Sequence, residues 1–318
     1  MQGFHPTKAL LEFLKCNHYP STTRKDSSHM TITSIIKHFG LSTQSISDVA
    51  DSHSSTVYKV LLLNGETVYI KIPFSKLKFH LEIEAYTILH GRISVPRLLD
   101  VWEGDDETVG ALLLSELEGD PLAPKLSTSL AYEIGVYHAS MHAIQPPAGQ
   151  DLLHIKNEFP NWSEFMDRMF YGFAEDTKKV IEPSLYERSI QKYIELKKEL
   201  PAPDGPAFIH MDFRPANILV KGDQVMGTID FESVRFGATE MDFTKIHRDF
   251  LSLDPSLKLA YEKGYRSIRP LIDLDRVLEF YRFTDAFNSI GWCQRRGVEK
   301  NRSFYERNLG ILKVELGV

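Results

Sequence analysis

Residues 205–232 read GPAFIHMDFRPANILVKGDQVMGTIDFE. Two apolar runs, 218–220 and 225–229, flank Gly222-Asp223, and short strand-like runs on either side of such a pair specify a tight hairpin. A hairpin brings its ends together, so Asn217 and Asp230 should converge, with Asp212 in the loop that precedes them. Two carboxylates and an amide oxygen are hard donors. They suit Mg²⁺, which takes few protein ligands and completes its shell with phosphate and water. Singly, each residue reads as a turn or cap residue. Together, with the hairpin between them, they read as a site.

The rest of the chain has room to serve that site. At 318 residues it suits two lobes better than one core. A net charge of -6 argues against a nucleic-acid-binding surface. The two cysteines, Cys16 and Cys293, form no CxxC. That excludes a disulfide scaffold or cysteine zinc site and fits a reducing, cytoplasmic setting. No apolar run is long enough for a membrane span, and the N-terminus lacks the pattern of a signal peptide. Leu10, Leu11, Phe13 and Leu14 suit a short amphipathic helix, and the polar stretch 17–30 reads as a linker.

Hydrophobic periodicity changes along the chain. A short helix is expected over 31–39, stopped by Gly40. Strands follow at SISDV, TVYKVLLL and ETVYIKI, the last two joined by Asn64-Gly65, a strong hairpin signal. A helix over about 76–90 and a hairpin around Asp105-Asp106 complete this part. From Leu126 helical patterns dominate: 127–144, 161–181, 184–199 and several beyond 240. The expected organisation is an N-terminal helix and linker (1–30), a mainly antiparallel N-lobe (31–117), and a larger, mainly helical C-lobe (118–318) that carries 205–232. The junction lies near SELEGDPLAPK.

HMDFRPANILV followed by TIDFE resembles the catalytic loop and metal-binding segment of the aminoglycoside phosphotransferase and choline-kinase-like families. His210, Asp212, Asn217 and Asp230 keep the register of H-R-D-x-x-x-x-N and D-F-G. Glu232 stands where protein kinases have the glycine, which favours small-molecule kinases, and no A-P-E segment follows. VRFGATEMDFTK also resembles the family, with Asp242 at the acidic position that braces the loop. The resemblance runs over about 46–245. It implies an α+β, two-lobed protein-kinase-like fold, ATP (or GTP) and Mg²⁺ as cofactors, and transfer to a hydroxyl. Asp212 would orient or deprotonate the acceptor, Arg214 would stabilise the γ-phosphate, and Asn217 and Asp230 would hold the metal.

Such a kinase needs a cation on its third strand and an acid on the next helix. Lys71 stands on the polar side of an apolar strand, although a snorkelling surface lysine would look the same. Glu82 and Glu84 both flank the stripe Leu81, Ala85, Ile88 and Leu89, so periodicity does not choose; the family pattern favours Glu84. The phosphate-covering loop would be DSHSST, without glycine, with Ser54 and Ser55 as candidates; a plain polar turn accounts for it nearly as well. Backbone groups at Glu116 and Leu117 would meet the adenine edge. His138 and His142 have the i, i+4 spacing of metal ligands but no third ligand in sequence, which favours surface or packing histidines.

The function these readings imply is phosphorylation of a small-molecule hydroxyl, on an aminoglycoside or another amine-bearing antibiotic or metabolite. A choline-, homoserine- or sugar-type metabolite kinase and a nucleotide-binding pseudokinase are the alternatives. No nucleic-acid or membrane partner is expected, and the chain would act as a monomer or homodimer. The aromatic stretches EFPNWSEFMDRMFYGF and FYRFTDAFNSIGW would line an acceptor pocket or fill the core.

Overall fold

The turn at Asn64-Gly65 sets the geometry of the first sheet. Gly65 takes φ 86°, a conformation natural to glycine, and its N–H donates to the Leu62 carbonyl. The turn joins β2 (Thr56–Leu62) to β3 (Thr67–Ile72). With β1 (Thr43–Asp48), β4 (Leu98–Trp102) and β5 (Ala111–Ser115) they form an antiparallel sheet ordered β1-β2-β3-β5-β4. The coordinates are a computed structural model that describes residues 28–49, 55–105, 108–123, 127–148 and 152–318. The short helix expected to carry Leu10, Leu11, Phe13 and Leu14, and Ser54, lie outside the described residues.

Strand alternation puts Val68, Ile70 and Ile72 on one face, where they pack with Tyr58, Val60, Leu113 and two residues of α1 (Ser28–His38), Ile32 and Ile35. Helix α1 therefore starts at Ser28, inside the stretch expected to be linker. Helix α2 (Lys76–Leu89) is capped by Ser75, whose hydroxyl accepts from the Lys78 N–H. It buries Leu81, Ala85 and Leu89 as the stripe predicts, and Glu82 with them.

After β5 the chain passes through 116–119, bending at Gly119, into β6 (Asp120–Pro121), which pairs with β8 (Ile218–Lys221). Strand β8 turns through Gly222-Asp223 into β9 (Gln224–Thr228), with Lys221 opposite Gln224, as the sequence predicts. A separate ribbon pairs β7 (Ala207–Ile209) with β10 (Arg235–Gly237). Helix α3 (Thr128–His142) packs on α7 (Pro255–Arg266) at very short range. Gly135 faces the backbone of Tyr261, and Gly264 faces that of Tyr132. Helix α6 (Glu240–Asp249) completes this set.

By their contacts the described residues fall into two compact units, which divide the chain differently from a boundary near 117. One takes in Asp26–Pro160 and Pro203–Leu274, so it carries both the first sheet and the 205–232 segment. The other holds Asn161–Ala202 and Asp275–Val318, with helices α4 (Trp162–Lys178), α5 (Pro183–Glu199), most of α8 (Leu274–Arg296) and α9 (Arg302–Glu315). Much of its aromatic content is core: Trp162, Phe165, Phe170, Tyr193, Phe280, Tyr281, Phe283 and Phe287 are buried. Phe170 stacks on Tyr193 and Phe287 at 3.9 and 4.3 Å between ring centres, and the Trp162 indole N–H donates to the Tyr281 hydroxyl. Cys293 is buried and free. Among the described residues no helix is long and apolar enough to cross a membrane.

Candidate active site

The segment that carries the candidate residues begins where β7 ends. His210 is fully buried. Its Nδ1 lies 3.3 Å from the Asp212 N–H and its Nε2 lies 3.0 Å from the Ile229 carbonyl. An N–H donor on one side and a carbonyl acceptor on the other assign the ring hydrogen to Nε2. The imidazole thus joins the loop to the strand that carries Asp230. Below it, Asp242 accepts from two successive backbone N–H groups, His210 at 2.5 Å and Met211 at 2.6 Å.

Asp242 has a buried surround. His138 and His142 approach its Oδ2 with Nε2 at 3.7 and 3.3 Å, and their Nδ1 atoms meet the hydroxyls of Tyr261 and Tyr265 at 2.5 and 2.8 Å. A carboxylate only accepts, so His142 presents its N–H to Asp242 and takes the tyrosine proton on Nδ1. Burial pushes the His138 imidazole down to about 3, and neighbouring His142 adds to this. Burial works against the Asp242 charge, yet the two imidazoles that face it, His142 within hydrogen-bond distance and His138 just beyond it, hold its carboxyl well below the usual range. The pair is neither exposed nor without a third group: Asp242, a hundred residues further on, supplies it. The carboxylate is spent on the loop backbone, which makes the cluster a brace.

Asp212 sits at the open end of the loop. Lys245 of α6 donates to one carboxylate oxygen at 2.6 Å, and Arg214 Nε and Asn217 Nδ2 donate to the other at 3.0 Å each. Burial works against the charge, and Lys245 and Arg214 outweigh it, holding the carboxyl down at about 2. Lys245 has no signal in the motif. It reaches Asp212 because Asp242 and Lys245 lie three apart on one helix.

The hairpin converges as its sequence requires: the Ile229 N–H donates to the Asn217 carbonyl at 3.0 Å. Asn217 gives its amide N–H₂ to the Asp212 main chain and side chain, which leaves its Oδ1 outward as a donor for a cation. Asp230, at φ 72°, accepts from Lys71 on one oxygen at 2.7 Å and keeps the other. Glu82, Asp230 and Glu232 place carboxylate oxygens within 4.8 Å of one another. Three carboxylates thus face two ammonium groups, Lys71 and Lys78. Within this net negative surround, the second Asp230 oxygen and the Asn217 amide oxygen are the hard donors that fit Mg²⁺.

Lys71 is buried between Asp230 and Glu82, at 2.7 and 2.8 Å. Burial would discharge it, but Asp230 and Glu82 more than compensate and hold the ammonium well above its ordinary value. The acid that pairs with Lys71 is therefore Glu82 and not Glu84. Glu84 points from the next face of α2 and accepts backbone N–H bonds from Leu153, His154 and Ile155 at 2.8, 2.9 and 2.5 Å. Helical geometry explains the difference, since two positions along a helix are about 200° apart. Ser55 lies at the start of β2, its hydroxyl 3.4 Å from Glu232. Glu116 and Leu117 directly follow β5, with the Glu116 side chain 3.5 Å from Lys59.

A family model described as "Phosphotransferase enzyme family" matches residues 45–280. The chain belongs to that family. Its fold is the kinase-like α+β fold of the solved phosphotransferases. The GDP and kanamycin complex of APH(2")-IIia superposes with a TM-score of 0.72 at 16% identity, covering 90% of this chain and 98% of that one. Macrolide 2'-phosphotransferase MphH from Brachybacterium faecium gives 0.64 at 16% identity, covering 89% and 97%. Spectinomycin phosphotransferase APH(9)-Ia, in complex with ADP and spectinomycin, gives 0.64 at 13% identity, covering 91% and 98%. Comparison with curated protein sequences finds no match. At these identities the structural likeness is one of fold.

Proposed function

We propose that this phosphotransferase moves the γ-phosphoryl group of ATP or GTP to a hydroxyl of a small amine-bearing molecule. The observation that carries the reading is the Asp212 carboxylate, fixed as an anion by Lys245, Arg214 and Asn217 at the end of a braced loop. Phosphoryl transfer asks the protein for positioning and charge more than for covalent chemistry. Lys71, held by Glu82 and Asp230, would take the α/β-phosphates. Mg²⁺, when bound by Asn217 and Asp230, supplies charge neutralisation on the phosphates. Arg214 spends Nε on Asp212, which leaves the rest of its guanidinium for the γ-phosphate. Glu116 and Leu117 would offer backbone groups to the base edge.

The acidity of Asp212 refines its role. A carboxylate titrating at about 2 is far too weak a base to strip an alcohol proton at the outset. It would instead accept the hydroxyl's hydrogen bond, aim the oxygen at phosphorus, and take the proton late, as charge develops on it. To do so the acceptor displaces one of the three donors now on Asp212.

The amine-bearing acceptor rests on the net charge of -6 and on the antibiotic ligands of the fold neighbours. Aminoglycosides, macrolides, spectinomycin, choline, homoserine and neutral sugars should be screened for ADP and GDP release with Mg²⁺. Turnover with a cationic acceptor whose KM rises with salt is expected, because ion pairs are screened over about 8 Å at physiological ionic strength. Turnover with neutral sugars alone would reject the acceptor class, and release from none would reject the kinase reading.

A further inference from the structure

Glu232 is tied on both sides by residues far from it in sequence. Lys78 donates to its Oε1 at 2.5 Å and the Ser55 hydroxyl to its Oε2 at 3.4 Å. Lys78 lies in the first turn of α2 and Ser55 at the mouth of the loop before β2. One carboxylate thus joins three segments, and all three bear on the phosphates if the kinase reading above holds. Asp230 is two residues before it, and Lys71 lies on the strand opposite the start of β2, Val57 pairing with Lys71. Glu82 is one turn beyond Lys78.

The first turn of α2 makes this arrangement informative. It contains Lys76 and Lys78 and no acid, the reverse of what a helix N-terminus prefers. Each lysine is compensated by a distant carboxylate: Lys76 by Glu103 at 2.6 Å and Lys78 by Glu232. Lys78 and Glu232 are about a quarter and a tenth exposed, so their attraction is screened less than that of a surface pair. A cation placed where the helix itself disfavours one, and matched across 154 residues, orients the helix end toward the Asp230 segment.

We propose that Glu232 is a positioning residue. Through Lys78 and Ser55 it fixes the start of β2 and the first turn of α2 against the Asp230 segment, so that Lys71 and Asp230 meet the nucleotide phosphates in register. It acts through these partners and does not itself ligate the metal.

The test is nucleotide titration by calorimetry, with ATP and with GTP, in magnesium and in EDTA, alongside hydrogen exchange of residues 56–60 and 76–80. Glu232→Gln and Lys78→Met should each weaken nucleotide binding about tenfold, the scale of a broken, partly buried ion pair, with and without magnesium. Exchange should rise in both segments. Lys78→Arg should stay near wild type, and the exchanged pair Lys78→Glu with Glu232→Lys should recover most of the loss. Unchanged binding in both single variants overturns the proposal. So does a Glu232→Gln defect confined to magnesium with Lys78→Met silent, which would make Glu232 a metal ligand. A wild-type chain that binds neither nucleotide removes the kinase reading and this inference with it; the other two outcomes remove the inference alone.

Discussion

Replacing Glu82 by Gln should cost nucleotide affinity, whereas replacing Glu84 should not. Lys71 and Glu82 are both buried and 2.8 Å apart. Two unit charges at that distance attract by about 6 kcal/mol at an effective dielectric of about 20, and desolvation offsets most of it. Removing one partner of a buried pair costs about 3–5 kcal/mol, because the other charge is left uncompensated. Here Asp230 stays on Lys71 at 2.7 Å, and Gln keeps a carbonyl oxygen near the ammonium. We therefore expect about 2 kcal/mol, or roughly thirtyfold in affinity at about 1.4 kcal/mol per decade. Burial also pushes the Glu82 carboxyl up, to about 7, against the pull of Lys71, so the neutral variant should lose less in acid than at pH 8. Glu84→Gln removes a charged acceptor from three backbone N–H groups at 153–155. It should lower the melting temperature and leave nucleotide affinity within about threefold, since it has no contact with Lys71. Calorimetry with Mg-ATP and Mg-GTP on both variants decides the matter. A large affinity loss in Glu84→Gln with Glu82→Gln silent would refute the pairing.

Asp212→Asn should keep nucleotide affinity and lower transfer by about 10²–10⁴-fold, whereas Asp230→Ala should lose Mg-nucleotide binding; equal nucleotide loss in both would remove this division of roles. Glu240 is 2% exposed, and burial pushes its carboxyl from 4.5 up to about 7. A raised carboxyl destabilises the fold as pH climbs from about 4.5 through 7, by up to about 3 kcal/mol at about 1.4 kcal/mol per unit, so Glu240→Gln should flatten the fall in melting temperature across that window. An unchanged slope would place the proton elsewhere. Gly135→Ala drives a methyl into the Tyr261 carbonyl and should destabilise by at least about 3 kcal/mol. Gly172→Ala, a helical site with open space around it, should gain about 0.5–1 kcal/mol in the same thermal melts.

Local patterns carried strands β1 to β5, β8 and β9, the hairpins at Asn64-Gly65 and Gly222-Asp223 and the spacing from His210 to Asp230, because turn chemistry and alternation act over a few residues; the two- and three-residue strands β6, β7 and β10 are too short to show such a pattern. Whatever depends on tertiary partners was hidden. The choice between Glu82 and Glu84 turns on which face of α2 meets β3, and an apolar stripe flanked by acids on both sides does not reveal it. Lys245 and the pair Lys78–Glu232 join residues 33 and 154 apart. The i, i+4 spacing of His138 and His142 was visible, but its meaning was not, because Asp242, Tyr261 and Tyr265 arrive from other helices. The aromatic stretches kept pocket and core open as alternatives; Phe170, stacked on Tyr193 and Phe287, is core, whereas its neighbour Tyr171 lines a cavity.

The brace under the loop that carries Asp212 also explains a backbone feature. Met211 and Asp230 are the non-glycine residues described at positive φ, 67° and 72°, a conformation that costs about 1–3 kcal/mol each. For Met211 the compensation is local. Its N–H and that of His210 both donate to the Asp242 carboxylate, and hydrogen bonds to a charged group contribute about 1.5–3 kcal/mol each. Asp242 in turn keeps its charge because His142 donates to it, and His142 keeps its tautomer because Tyr265 of α7 holds its far nitrogen. That chain of contacts needs α3 and α7 nearly touching, which Gly135 and Gly264 permit. The glycines at the helix crossing, the imidazole pair and the left-handed turn before Asp212 are therefore one device. It aims a carboxylate by fixing the backbone beneath it, and leaves the carboxylate's own oxygens to Lys245, Arg214 and Asn217 and, on the function proposed above, to the acceptor hydroxyl.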